Sequence, residues 1–100
     1  LISEAGTPGI SDPGNELIEK IVKEFGSEVK ITPLPGPCAL IAALSISGLP
    51  ASQFVFLGFP PKKKKREAFF KKIIQTKETV IFYESPYRII KTLLEFKKVA

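Results

Sequence analysis

The 100-residue chain is 44% hydrophobic and 25% charged, which excludes a disordered tail and is enough to build a core. With no histidine and one cysteine it excludes His-based metal sites, Ser-His or Cys-His catalysis and an internal disulfide framework, and it fits a reducing cytoplasm. The net charge of +5 is unevenly spread: residues 1–50 carry three lysines against six acids, residues 51–100 twelve Lys/Arg against four, giving −3 and +8.

No apolar run approaches the roughly 20 residues of a membrane span, and no signal peptide is visible. The chain begins at Leu1 and stops at Ala100 inside a helical pattern, so an internal piece of a longer protein is expected. Residues 3–14 read as a loop rich in Gly, Pro, Ser and Asp. Asp12 is suited to cap the next helix and Pro13 to open it, since its missing N–H would be unpaired there anyway. That helix runs to Phe25, with Leu17, Ile18, Ile21, Val22 and Phe25 on one face, and Gly26 ends it. Val29–Thr32 reads as a short strand closed by Pro33.

Pro35-Gly36-Pro37 opens a second helix to Ser47, apolar nearly all round and so in need of cover on most sides. Gly48 to Ser52 is the expected domain junction. Gln53–Phe59 reads as a strand apolar on both faces, and a helix over Lys65–Gln75 follows, with Phe69, Phe70, Ile73 and Ile74 turned inward. Thr79–Tyr83 is a second buried strand. Ser85-Pro86 starts a last helix, with Ile89, Ile90, Leu93 and Leu94 as its inner face. Strands alternating with helices indicate an α/β fold with a largely parallel or mixed sheet.

Four segments are candidates for chemistry. In Ser3–Gly14, three glycines let the backbone approach a ligand, and the N–H groups of the next helix start are open to a polar group. A tight turn accounts for the same residues on composition alone, and neither G-x-x-x-x-G-K-[ST] nor G-x-G-x-x-G is matched. Pro35–Ala39 is another turn into a helix; its Cys38 is read as a small buried hydrophobe, with no partner base in sight. Tyr83–Arg88 lies at the C-terminal end of a strand, where ligands collect in α/β sheets; a capped helix start is its plainer reading. Lys62–Arg66 is either a solvated face or, within the +8 half and near Arg88, a phosphate-contacting run.

Taken in order, "SEAGTPGISDPG", "PLPGPCALIAALSISGLP", "FVFLGFPPKKKKR" and "VIFYESPYRI" resemble successive motifs of the ribosomal RNA small subunit methyltransferase I family, within the tetrapyrrole (corrin/porphyrin) methylase superfamily. The resemblance covers nearly the whole chain. It implies a two-domain α/β protein in which residues 1–48 end an N-terminal parallel α/β domain and residues 49–100 form the first half of a mixed-sheet C-terminal α/β domain. It also implies a homodimer that binds S-adenosyl-L-methionine between its domains and 2′-O-methylates a cytidine ribose of 16S rRNA. The family's cofactor-contacting loop falls on Ala5, Gly6, Thr7, Pro8, Gly9 and Ile10, and a second cofactor turn on Gly36, Pro37, Cys38 and Ala39. Thr7-Pro8 stands where relatives acting on tetrapyrroles carry Asp-Pro. Glu4, Cys38 and Tyr87 stand where Asp, Ser and His are commoner.

RNA contacts are expected at Lys62, Lys63, Lys64, Lys65, Arg66, Tyr87 and Arg88, and no metal is expected. A ribose hydroxyl is a weak nucleophile that benefits from a general base. Of the nearby acids Glu4, Asp12 and Glu84, Asp12 is taken as a helix cap and Glu84 is the candidate for a substrate-side catalytic part. Methylation of a tetrapyrrole or other small acceptor is the alternative within the superfamily, and a non-catalytic RNA-binding module is the alternative outside it. The basic half and the motif set favour rRNA over a small acceptor, and the first two loops favour an enzyme over a module.

Overall fold

The computed structural model describes residues 9, 10 and 14–100, which fall into two compact units divided between Ala42 and Ala43. In the first unit, helix α1 spans Asn15–Phe25. It starts two residues later than the sequence suggests: Gly14, at φ 129°, is the N-cap, and no side chain caps the helix. Asp12 and Pro13, the expected cap and first-turn residues, lie outside the described residues. Gly26 ends the helix as expected, at φ 54° with its N–H on the Val22 carbonyl; a left-handed backbone is one that glycine adopts without a Cβ clash. Ile18 and Ile21 are half-buried, whereas Leu17, Val22 and Phe25 remain exposed.

The strand expected at Val29–Thr32 is not formed. Val29 is extended, at φ −117° and ψ 130°, but the segment has no ladder partner among the described residues, and Val29 and Ile31 are exposed. β structure is a pairing, so an apolar run becomes a strand only beside a neighbour that takes its N–H and C=O groups.

Helix α2 spans Ala39–Ser47, and the division between the two units falls within it. Leu40 and Leu44, one turn apart, are buried; Ile41 and Ile46 are exposed. The expected cover on most sides is therefore present on one stripe only.

The second unit is organised by a β-α-β crossover. Strand β1 (Phe54–Phe56) pairs in parallel with β2 (Thr79–Ile81) in the register Phe54↔Thr79, Val55↔Val80 and Phe56↔Ile81. Two more bonds prolong the pairing, from Leu57 N–H to the Ile81 carbonyl (2.9 Å) and from Tyr83 N–H to the Gly58 carbonyl (2.7 Å). Parallel neighbours need a long connection, and helix α3 (Arg66–Gln75), entered through a 3₁₀ turn at Lys63–Lys65, supplies it. The Thr79 hydroxyl donates to the Pro50 carbonyl at 2.7 Å and ties the Gly48–Ser52 segment to β2.

Helix α4 (Ile89–Val99) closes the chain. The core sits around Phe70, whose ring meets Phe69 at 5.8 Å and Phe96 of α4 at 5.7 Å, all edge-on; Phe69 meets Phe82 at 5.6 Å. Offset and edge-on aromatic contacts add to the stabilisation from burial alone.

Two expected inner faces need correction. Ile74 of α3 is exposed, although Phe69, Phe70 and Ile73 turn inward as expected. On α4 only Ile89 of the four expected residues is partly covered: Ile90 is 74% exposed, and Leu93 and Leu94 are exposed as well. The inward side is Ile89, Thr92, Phe96 and Val99, with Thr92 fully buried. The hydroxyl of the buried Thr92 is hydrogen-bonded to Arg66 and Glu84 there.

Candidate functional site

Glu84 lies just beyond β2, and its side chain is only 2% exposed. Its carboxylate accepts three hydrogen bonds: Oε1 from the Ser85 N–H (2.7 Å) and from Arg88 Nε (3.3 Å), Oε2 from the Thr92 hydroxyl (2.7 Å). Thr92 in turn accepts from Arg66 Nη2 at 2.9 Å. Arg66 uses its remaining edges on Glu95 Oε2 (Nε, 2.7 Å) and the Pro61 carbonyl (Nη1, 3.1 Å), and its guanidinium lies 5.4 Å from the centre of the Phe70 ring. The result is a continuous chain Arg88–Glu84–Thr92–Arg66–Glu95. It fastens the β2–α4 loop, α4 and the start of α3 to one another.

The Thr92 hydroxyl, first among the causes, holds the Glu84 carboxyl below its ordinary pKa of 4.5. Burial opposes this, and the Ser85 N–H and Arg88 add to it. A carboxylate so held is a weaker proton acceptor than a free glutamate. Its geometry gives it a definite use: it fixes Arg88, whose side chain is half exposed, by the Nε edge.

The same loop forms a turn rather than a helix start. Ser85 Oγ accepts from the Tyr87 N–H (3.2 Å) and the Ser85 carbonyl from the Arg88 N–H (3.0 Å), so α4 begins only at Ile89. Tyr87 is left 96% exposed.

The basic run divides. Lys62, Lys63, Lys64 and Lys65 are exposed, while the Arg66 side chain is only 17% exposed and its donors are used internally. The structure therefore sets Arg66 apart from the lysines with which the sequence groups it. Thr92 and Glu95, both part of this network, are not marked out by any motif in the sequence. Their one signal was a hydroxyl and an acid inside an otherwise apolar periodicity.

Of the first loop, Ala5, Gly6, Thr7 and Pro8 lie outside the described residues; Gly9 and Ile10 are described. Gly9 has φ 90°, a backbone conformation that side chains rarely adopt; a Cβ there would also meet the mobile end of Asn15, Oδ1, at 2.9 Å. Gly9 also lines a cavity of about 500 Å³ with Ile18 and Ile21 of α1 and with residues of the 29–34 segment. The second turn enters α2: Gly36, Pro37 and Ala39 are exposed, Cys38 is half-buried, and the Cys38 carbonyl takes the Ala42 N–H at 3.0 Å. A glycine at positive φ lets a loop lie close against a ligand.

Across this whole sequence, residues 1–100, the family model of the tetrapyrrole (corrin/porphyrin) methylases matches. The chain belongs to the tetrapyrrole methylases. Within that family it is similar to proteins named ribosomal RNA small subunit methyltransferase I, in keeping with the four motifs. The one from Hydrogenobaculum sp. is 51% identical over 94 residues, 93% of this chain and 39% of the relative. The one from Vibrio cholerae is 50% identical over 100 residues, 99% of this chain and 34% of the relative. That from Thermotoga maritima is 41% identical over 99 residues, 99% of this chain and 43% of the relative. The methylase chain thus spans between about a third and two fifths of the length of the curated relatives it matches. Among its described residues no helix is long and apolar enough to cross a membrane.

Proposed function

We propose that the chain is part of an S-adenosyl-L-methionine-dependent methyltransferase that 2′-O-methylates a cytidine ribose in 16S rRNA, working as a cytoplasmic homodimer. The observation that carries this reading is identity of 41–51% over 93–99% of the chain with relatives named for small-subunit rRNA methylation. The four exposed lysines of the +8 half support an RNA acceptor.

In this reading residues 1–48 belong to the N-terminal domain and residues 49–100 to the C-terminal one. Ala5–Ile10 and Gly36–Ala39 hold the cofactor, and the positive φ of Gly9 beside its cavity fits that use. When bound, S-adenosyl-L-methionine supplies an electrophilic methyl group. The chain's own residues then have to orient the ribose, because in-line displacement draws much of its rate from positioning. Lys62–Lys65, Tyr87 and Arg88 serve as RNA contacts. Glu84 keeps its substrate-side place by holding Arg88 through its carboxylate.

The test uses the full-length protein with labelled S-adenosyl-L-methionine and small ribosomal subunits that lack the modification. Label on a ribose 2′-oxygen of 16S rRNA is the expected result. Cofactor binding with unlabelled RNA would move the acceptor to tetrapyrroles or other small molecules, and RNA binding without any cofactor binding would leave a non-catalytic module. Glu84→Gln is expected to lower methylation; an unchanged rate would remove Glu84 from the site.

A further inference from the structure

Helix α4 carries lysines that no motif drew attention to. Lys91 and Lys98 lie seven residues apart, so on an α-helix they sit on nearly the same side about 10 Å apart. Both line a groove of about 480 Å³, open to solvent, whose other wall holds Lys63 from the 3₁₀ turn and Glu67 from α3; Val99 and the closed face of Phe70 form its floor.

The acids in this groove are already engaged. Glu95 is taken by Arg66 at 2.7 Å and lies 4.0 Å from Lys91; Glu67 is paired with Lys71 at 3.2 Å. With Glu95 held by Arg66, the groove presents three exposed lysines, Lys63, Lys91 and Lys98, against one exposed acid, Glu67, so its solvent-facing charge is positive in excess. Lys63 holds φ 59°, the one positive φ outside glycine among the described residues. Left-handed backbone at a non-glycine residue is disfavoured and persists where the surroundings impose it, so this lysine is held at the groove's rim.

We propose that this groove is a nucleic-acid backbone site, in which Lys91 and Lys98 of α4, together with Lys63, contact phosphates of the RNA. The proposal rests on the rRNA reading above and extends its footprint from the lysine run to a second element. A lysine-walled groove suits phosphates, which need point charges rather than base-specific donors.

The experiment measures binding of the full-length protein to transcribed, unmodified 16S rRNA over a range of salt concentrations. Each lost phosphate contact lowers the slope of log K against log salt by roughly 0.7–0.9. The double variant Lys91→Gln/Lys98→Gln is expected to lose about 1.4–1.8 from that slope. Lys77→Gln, on an exposed lysine that lines a different cavity with Pro50 and Thr79, is expected to leave it unchanged. If the double variant keeps the wild-type slope while the threefold Lys62/Lys64/Lys65→Gln variant loses it, the groove is not used and the rRNA reading stands. If neither variant alters the slope, the groove falls together with the RNA contacts of that reading.

Discussion

Arg66 and the four lysines before it are neighbours in sequence and opposites in structure. The lysines stand in solvent, each free to meet a phosphate. Arg66 is turned inward, where its planar fork satisfies a carboxylate, a hydroxyl and a carbonyl at once. A lysine could not replace it, having one nitrogen to serve three acceptors set in different directions. The difference shows that a run of like charges need not be one functional unit. Here one end binds the fold and the other faces outward.

Breaking the inner half gives the largest effects. Arg66→Met removes the nearer of the two cations paired with Glu95 and one of the two bonds of the Thr92 hydroxyl. Breaking a buried pair costs about 3–5 kcal/mol, and partial exposure of both groups brings the expected loss nearer to 2–3 kcal/mol. Denaturant unfolding of the full-length protein checks it, and a loss below about 0.5 kcal/mol would mean the network is ornamental. Thr92→Val keeps the shape but leaves the Glu84 carboxylate and the Arg66 guanidinium each short of a partner, for an expected cost of about 1–3 kcal/mol. Thr92→Ser restores the hydroxyl and is expected to recover most of that loss.

This inner network also shows what the sequence could and could not disclose. The β-α-β order, the end of α1 at Gly26 and the burial of Phe70 follow from local pattern, and all are present. The orientation of α4 does not. Ile89, Ile90, Leu93 and Leu94 form the apolar stripe that periodicity selects, yet Arg66, 26 and 29 residues upstream of Thr92 and Glu95, draws the polar side inward. Pairing over such a distance leaves no trace in a helical period. The missing strand at Val29–Thr32 has the same origin, since its pairing depends on residues far from it. Of the candidate site, the exposed lysines and the positive φ of Gly9 were legible as residue types, whereas the occupied state of Glu84 required coordinates.

The pH dependence of stability sharpens the contrast between the buried acid and the exposed lysines. Because the folded-state pKa of Glu84 lies below its ordinary value of 4.5, the stability it contributes is fully present at neutral pH. That contribution declines as the pH falls through 4.5 and is gone once the pH is below the folded pKa. Glu84→Gln is expected to flatten this acid limb of an unfolding-free-energy profile and to leave the limb above neutrality unchanged. An acid limb as steep as that of the native protein would show that Glu84 is not held as its hydrogen bonds indicate.

The outer half should respond in binding rather than in stability. Neutralising Lys62, Lys64 and Lys65 to Gln is expected to shift unfolding by no more than about 0.5 kcal/mol per residue, because exposed side chains without partners contribute little. Lys63 is the exception that tests the backbone separately from the charge. At φ 59° it carries a left-handed conformation that a side chain disfavours by roughly 1–2 kcal/mol. Glycine removes that clash but gains freedom in the unfolded chain, which offsets part of the relief. Lys63→Gly is therefore expected to raise stability by up to about 1 kcal/mol while losing one phosphate contact from the salt slope of RNA binding. Gain in one measurement and loss in the other would show that the strained turn is kept for its charge. A fall in both would show that the Lys63 side chain packs as well as binds, and would erase the separation between the two halves of the run at this residue.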